Sequence, residues 1–256
     1  MTLITSRSPT NWVELENDVA AILRECGMTV RQGESLKLRR GDFAADVVAN
    51  EVVEGISNSI VCECKFWDTN IPAEKVRSFR VVVDETGANR GYIISRRGFQ
   101  SGAFEAAEAT NVELVTYEQF QELYFQKWFN RRTTAIEDAV KRFHFLHEPF
   151  PGGRGGYELL QTDHERSQYD EIWNKYHFAA AMLTPFSPYL RPYPLPPLPF
   201  DVTKIERAGF PIPEDIKAAT GYRELLALLE AYALEGAAEQ DAFNARHSPK
   251  VDRETD

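Results

Sequence analysis

The chain is poor in cysteine, with only Cys26, Cys62 and Cys64 among its 256 residues, which is too few for a disulfide framework. It also lacks an apolar run near the roughly 18 residues that a membrane-spanning helix needs. The first residues, MTLITSRSPTNW, do not follow the basic and then apolar layout of a signal peptide. We therefore expect no membrane association and a cytoplasmic location, where the cysteines stay reduced.

Positive charge is scarce as well, because 29 Lys and Arg face 39 Asp and Glu and leave a net charge of −10. Phosphate contacts supply most of the affinity of proteins for nucleic acid, so the chain as a whole is not a general nucleic-acid binder. The deficit is uneven, since residues 1–142 carry −3 and residues 143–256 carry −7. Small basic clusters remain in the first part, and such clusters are more often solvated surface than binding sites.

The first 120 residues alternate between helical and strand-like patterns. Apolar residues at helical spacing predict a first helix, with Thr10 or Asn11 as its cap and Gly27 as its stop. Three strand-like runs follow: MTVRQ, FAADVVANEVV and NSIVCECKFW. IPAEKVRSFRVVVDETG predicts a helix, RGYIIS a strand, SGAFEAAEATN a short helix and VELVTY a last strand. The order α-β-β-β-α-β-α-β predicts an α/β domain with a mixed sheet.

Beyond Thr116 the pattern becomes helical and aromatic, and it is interrupted by the Gly/Pro-rich HEPFPGGRGGYE and by TPFSPYLRPYPLPPLPF, which holds seven prolines. We predict a domain over residues 1–120 and a mostly helical C-terminal region over residues 121–246, with a Pro-rich segment at 185–200. We predict that the tail at 247–256 is disordered. The Pro-rich segment is apolar enough to pack along the surface of the protein. A ligand for the aromatic groove of a partner is the alternative interpretation.

The run SIVCECKFW places charges inside an otherwise apolar strand. Side chains alternate along a strand, so Glu63 and Lys65 share one face while Cys62 and Cys64 share the other. Cysteine packs as a small hydrophobe, and a zinc site needs further soft ligands at suitable spacing. We therefore expect the cysteines to face the core. A structural salt bridge is the alternative interpretation of the Glu-x-Lys pair, although such pairs rarely repay their desolvation.

The preceding strand supplies a third polar side chain, because Asp46 starts a β-branched run in GDFAADVVA. An aspartate at the end of one strand, beside Glu-x-Lys on the next, makes a compact site of oxygen ligands. Mg²⁺ uses few carboxylates and keeps several waters. A neighbouring lysine orients a water and stabilises the charge of a phosphate under attack.

This constellation resembles the PD-(D/E)XK nuclease superfamily, and more closely the Mrr-like catalytic domain of type IV restriction endonucleases. The resemblance rests on GDFAADVV, on VCECK about seventeen residues later, and on two weaker matches. LENDVAAILRECGMTV is similar to the first helix of the family, and GANRGYIISRRGFQSGAFEAAEATNVELVTYEQF is similar to its later strand, helix and strand. It covers about residues 10–120, and Ala44 and Ala45 stand where the family usually has glycines.

The resemblance implies a restriction-endonuclease-like mixed β-sheet flanked by helices and a Mg²⁺-dependent phosphodiesterase, with Mn²⁺ as a second cation. It implies that Asp46 and Glu63 are the metal carboxylates, that Lys65 is the catalytic lysine, and that Glu16 is an auxiliary acid from the first helix. Five arginines are candidates for contacts with DNA around this site: Arg39, Arg40, Arg77, Arg96 and Arg97.

These features favour a DNA endonuclease of restriction or antiviral defence. Two alternatives remain open: a nuclease fold that binds DNA or protein without cutting, and a nuclease directed at RNA. The C-terminal region either recognises a feature of DNA or docks to a protein partner of a defence system, and its charge favours protein. Cutting both strands of a duplex needs two active sites, so we expect a homodimer.

Overall fold

The computed structural model describes residues 4–147, 154–187 and 195–247. The chain divides into two compact units, Met1–Arg132 and Thr133–Asp256. The boundary predicted after residue 120 falls in the first turn of a helix, Tyr117–Ala139, that runs from one unit into the other. Residues 188–194 of the predicted Pro-rich segment and the tail from residue 248 lie outside the described residues, and His247 itself ends a helix.

The first unit follows the predicted order of elements and confirms the predicted fold class. Its helices and strands, in chain order, are α1 (Trp12–Glu25), β1 (Thr29–Leu38), β2 (Gly41–Val53), β3 (Ile56–Lys65), α2 (Ala73–Thr86), β4 (Arg90–Ser95), α3 (Ser101–Ala107), β5 (Val112–Thr116) and α4 (Tyr117–Ala139). The five strands form one sheet in the order β1-β2-β3-β4-β5. The β1–β2 and β2–β3 pairs are antiparallel, whereas the β3–β4 and β4–β5 pairs are parallel.

Helix α1 begins where the sequence predicts, because the side chain of Asn11 accepts a hydrogen bond from the backbone N–H of Glu14 at 2.9 Å. Such a cap satisfies one of the donors that a helix N-terminus leaves free. The helix ends at Glu25 with Cys26 as its C-cap, and Gly27 follows with φ +87°, a conformation that glycine adopts without strain. Strand β1 extends beyond the predicted MTVRQ to Leu38, since alternating Leu36 and Leu38 pack on the core beneath α2.

The sheet is covered on both faces. Val61 and Ile93 pack with Phe79 and Val83 of α2 in one cluster. A Cβ at Gly91 would lie 2.4 Å from the side chain of Val83, so glycine lets α2 approach β4 closely. On the other face Tyr92 contacts Phe120 and Tyr124 of α4, with ring centroids 5.6 and 6.0 Å apart. Burial of these aromatic side chains holds the central strands in place.

The second unit is helical, as predicted for the C-terminal region. Its described residues form α5 (Lys141–His147), α6 (Asp163–Leu183), α7 (Thr203–Arg207), α8 (Glu214–Ala218) and α9 (Tyr222–His247), besides the end of α4 and two short 3-10 turns. Thr162 and Glu165 form a capping box at the start of α6. The hydroxyl of Tyr176 on α6 donates to Glu235 and Glu239 of α9. Within the described ranges no helix is long and apolar enough to cross a membrane.

Three aromatic nitrogen heterocycles, His147, Trp173 and His177, meet inside this unit. His147 is 1% exposed, and neither of its ring nitrogens has a hydrogen-bond partner among the described residues. Its ring centroid lies 5.6 Å from that of Trp173 and 5.8 Å from that of His177. Burial lowers the pKa of His147 to about 3, with the nearby His177, His144 and Arg154 adding to the effect. Both imidazoles are therefore neutral in the folded unit at neutral pH, because burial also lowers the pKa of His177, to about 4.

The second unit should lose stability in mild acid because of His147. An unfolded histidine has a pKa of about 6.5, so the unfolded chain binds a proton that the folded unit, with its lowered pKa, does not. Unfolding is then favoured as pH falls below about 6.5, by roughly 1.4 kcal/mol per pH unit for this residue. Urea unfolding at pH 7 and pH 5 should show a smaller loss of stability for His147→Phe than for the native chain.

The matched control is His164→Phe, because His164 is exposed on the first turn of α6. This variant should keep the pH dependence of the native chain. An unchanged pH dependence in His147→Phe would contradict the assignment.

Candidate active site

Asp46 lies where β2 separates from β3. The last paired residues of these two strands are Val47 and Cys62, and continuing the antiparallel register sets Asp46 opposite Glu63. In place of the next backbone pair, the N–H of Cys64 donates to Oδ2 of Asp46 at 2.7 Å. The carboxylate is therefore held at the level of the charged side chains of β3.

Glu63 and Lys65 lie on one face of β3, as the alternation predicts. The ammonium of Lys65 donates to Oε1 of Glu63, and the two side chains are only 19% and 15% exposed. The second oxygen of Glu63, Oε2, is buried and has no hydrogen-bond partner within the described chain. A buried carboxylate oxygen without a partner is costly, and a bound cation would supply the missing contact.

Glu16 of α1 lies within electrostatic reach of this pair of strands. Burial raises the pKa of Glu16, and the negative charges of Asp46 and Glu63 raise it further while Lys65 opposes them. Burial likewise raises the pKa of Asp46, against the hydrogen bond from Cys64. Burial is also the main cause of the raised pKa of Glu63, against the hydrogen bond from Lys65. The carboxylates of Glu16, Asp46 and Glu63 thus share a partly buried environment, which disfavours their negative charge and favours the binding of a cation.

The donor set fits a hard cation in an open site. Carboxylate oxygens are the ligands that Mg²⁺ prefers, and Mg²⁺ completes its shell with water. Asp46 keeps one oxygen without a hydrogen bond from the described residues, and Glu63 keeps Oε2. No group of three or more His, Cys, Asp or Glu side chains in the described ranges encloses a metal position. The residues therefore suit an ion held by two carboxylates and waters better than a closed cage.

The cysteines of β3 do not take part in this chemistry. Cys62 and Cys64 are 0% and 6% exposed and carry free thiols. Burial raises the pKa of the Cys64 thiol well above its usual value, so it is not a reactive thiolate. Their burial confirms the prediction that they form the packing side of the strand.

Two of the five candidate arginines lie beside the site. Lys65 pairs with Ser95 at the ends of β3 and β4, and the backbone N–H of Arg96 donates to the carbonyl of Lys65 at 3.1 Å. The guanidinium of Arg96 forms an ion pair with Asp68 at 2.7 Å, and Nε of Arg97 donates to the carbonyl of Asp68 at 3.3 Å. These contacts hold both exposed arginines beside Lys65, at the C-terminal ends of β3 and β4.

The other three arginines are not brought together with the carboxylates. Arg39 and Arg40 form the two-residue turn between β1 and β2, where the backbone N–H of Arg39 donates to Glu85 of α2 at 2.7 Å. Arg77 is exposed on α2. No hydrogen bond or ion pair in the described chain ties Arg40 or Arg77 to the site. Their role in binding DNA stays a prediction.

Two residues of the site were missed from the sequence. The first is Lys75, whose positive charge opposes the rise that burial causes in the pKa of Glu63. Lys75 lies in the first turn of α2, where the helix dipole disfavours a cation. That unfavourable placement is the signal that could have found it. Ser95 is fully buried, and its hydroxyl accepts from the N–H groups of Arg97 and Gly98. It shapes the turn that presents Arg96 and Arg97.

Comparison with known proteins covers the same part of the chain. Residues 8–124 match a family model for the restriction endonuclease catalytic domain of the Mrr type. Curated proteins include no match. A crystal structure titled "Protein of Unknown Function AF1548" is 16% identical, with a TM-score of 0.38, over 64% of this chain and 95% of that chain.

The MspJI restriction endonuclease in complex with a 27-mer oligonucleotide is 21% identical, with a TM-score of 0.28. That similarity covers 47% of this chain and 27% of that chain, so this chain spans about a quarter of its length. Neither structure is similar enough to carry an argument about function. The family match, the order of the elements and the placement of Asp46, Glu63 and Lys65 agree with one another. Residues 8–124 therefore match the restriction endonuclease domain of the Mrr type, and their fold and site are consistent with the PD-(D/E)XK type.

Proposed function

We propose that this chain is a Mg²⁺-dependent endonuclease that hydrolyses phosphodiester bonds in DNA, with Mn²⁺ able to replace Mg²⁺. The observation that carries the proposal is the meeting of Asp46, Glu63 and Lys65 where β2 and β3 separate. A cluster of carboxylates next to a lysine is suited to hold a cation and a phosphate together. The match to the nuclease family supports the same reaction.

Each side chain has a distinct role in this proposal. Asp46 and Glu63 hold the cation, which supplies charge neutralisation and a more acidic water. Lys65 has three N–H donors, of which one meets Glu63, so the others can reach a phosphate oxygen and the attacking water. Its positive charge then stabilises the pentacovalent phosphate. Glu16, whose pKa is raised by burial and by its acidic neighbours, accepts a proton from water on the side of α1.

The substrate is DNA, and the second unit binds another protein rather than DNA. Arg96 and Arg97 stand beside Lys65 and contact neighbouring phosphates. The second part of the chain is strongly acidic, with a charge of −7 over residues 143–256, which opposes contact with DNA. It docks to another component of a restriction or antiviral defence system. Two copies of the chain act together where both strands of a duplex are cut.

Cation binding should appear as a change in thermal stability that depends on Asp46. A raised pKa means that the ionised carboxylate costs stability at neutral pH, so Asp46→Asn should raise the melting temperature in EDTA by about 2–4 °C. Asn keeps an oxygen that accepts from the N–H of Cys64. Mg²⁺ should then stabilise the native chain and leave Asp46→Asn unchanged.

The control for this measurement is Asp42→Asn, because Asp42 is exposed on the same strand. It should melt and respond to Mg²⁺ like the native chain. An equal response to Mg²⁺ in Asp46→Asn would place the cation elsewhere.

Cutting should depend on Asp46 and Lys65. Asp46→Ala and Lys65→Ala should each lower the rate of plasmid cleavage in Mg²⁺ by at least about 100-fold, since the first removes a carboxylate proposed to hold the cation and the second removes a positive charge that stabilises the transition state. Asp42→Ala and Lys37→Ala, exposed residues paired across β1 and β2, should cut at the native rate. Residual cutting that is equal in all four variants would assign the activity to another site or to a contaminant.

The arginines beside Lys65 should set the salt dependence of binding. Each lost phosphate contact lowers the slope of log affinity against log salt concentration by about 1. Arg96→Ala and Arg97→Ala should each show this change in a titration of labelled DNA. Arg90→Ala is the control, because Arg90 pairs with Glu113 at the opposite end of β4. Slopes that match the native value in both site variants would remove these arginines from the interface.

A further inference from the structure

Two of the four tryptophans in the chain stand exposed next to the carboxylates. Trp67 is 37% exposed and Trp12 is 61% exposed. The ammonium of Lys65 lies 5.9 Å from the centroid of the Trp67 ring. Trp12 occupies the turn of α1 before Glu16, at i and i+4 on the same helix face. Trp67 therefore stands beside Lys65 at the end of β3, and Trp12 stands one turn from Glu16 at the start of α1.

Packing does not account for their positions. Trp128, in contrast, is fully buried and its indole N–H donates to Glu25 at 2.5 Å. The neighbouring Phe66 is already covered, since the guanidinium of Arg96 lies 4.5 Å over its ring. Trp67, in contrast, stays partly exposed beside Lys65, the cation that is proposed to hold the phosphate. Proteins that bind single strands use this arrangement, in which a base stacks on an exposed aromatic ring and a neighbouring cation binds the phosphate.

We propose that Trp67 and Trp12 stack on unpaired nucleobases on either side of the phosphate held at Lys65, so that the substrate is single-stranded or locally unpaired DNA. This inference rests on the proposed endonuclease function and narrows its substrate class. In an intact duplex both faces of every base are covered by neighbouring bases, and an indole has no free face to contact. A base released from the stack offers that face, whatever its sequence.

The placement of the charges agrees with this substrate. Three positive side chains lie at the ends of β3 and β4, where they would hold the sugar-phosphate backbone of DNA: Lys65, Arg96 and Arg97. Trp67 follows Lys65 by two residues, so the base attached to a phosphate at Lys65 reaches the indole. Trp12 then receives a base on the side of α1. The stacking is independent of sequence and adds to the phosphate contacts.

The test measures binding and cutting separately. Fluorescence anisotropy in Ca²⁺ follows a labelled 20-nucleotide single strand and the corresponding duplex, and a gel assay in Mg²⁺ follows cleavage of both. Trp67→Ala should weaken binding of the single strand by about 10-fold and change binding of the duplex by less than about 2-fold. Trp67→Phe, which keeps an aromatic face and guards against a folding defect, should lose less than about 3-fold. Trp12→Ala should also weaken binding of the single strand.

The matched control is Phe145→Ala, which removes an aromatic ring that is 53% exposed in the second unit and should bind both substrates like the native chain. Quenching of tryptophan fluorescence by the single strand should be smaller in Trp67→Phe than in the native chain. Single-strand binding by Trp67→Ala within about 2-fold of native, or an equal loss for single strand and duplex, would overturn the inference. If cutting that depends on Asp46 persists in that case, the proposed endonuclease function stands. A native chain that neither binds nor cuts DNA overturns both.

Discussion

The hydrogen bond from the backbone N–H of Cys64 to the carboxylate of Asp46 is the contact on which the site depends. It replaces a rung of the β2–β3 ladder at the position where the two strands separate. The separation opens room for side chains between the strands, and the hydrogen bond keeps Asp46 level with Glu63 despite it. The donor is a backbone N–H that every residue except proline would supply at position 64, so this half of the contact belongs to the fold itself.

The site carries an electrostatic cost that the rest of the unit offsets. Burial raises the pKa values of Glu16, Asp46 and Glu63, and the charges of Asp46 and Glu63 raise that of Glu16 further. The sheet core, with aromatic side chains packed on both faces, supplies the stability that such a cluster removes. Strained or destabilised groups of this kind collect at functional sites. Lys65 and Lys75 reduce the repulsion without neutralising it.

The sequence predicted the central strands because their patterns are local. Alternation with a period of two separates Cys62 from Glu63, and a β-branched run beginning at Asp46 marks the strand beside it. The boundary of the first unit was harder to predict, because α4 continues through Arg132 without any break in its helical pattern. Lys75 and Ser95 were missed because only the parallel β3–β4 pairing and the entry of α2 bring them to the site. Such long-range placements leave no periodic signal in the sequence.

The most direct test of this account is the position of the cation. Crystals of the native chain grown with Mn²⁺, measured near the manganese absorption edge, would locate the ion by its anomalous scattering. The account predicts one ion bonded to carboxylate oxygens of both Asp46 and Glu63, with Lys65 adjacent and waters completing the shell. An ion bound elsewhere while both carboxylates remain without one, or Asp46 turned away from Glu63 when the ion is present, would contradict it.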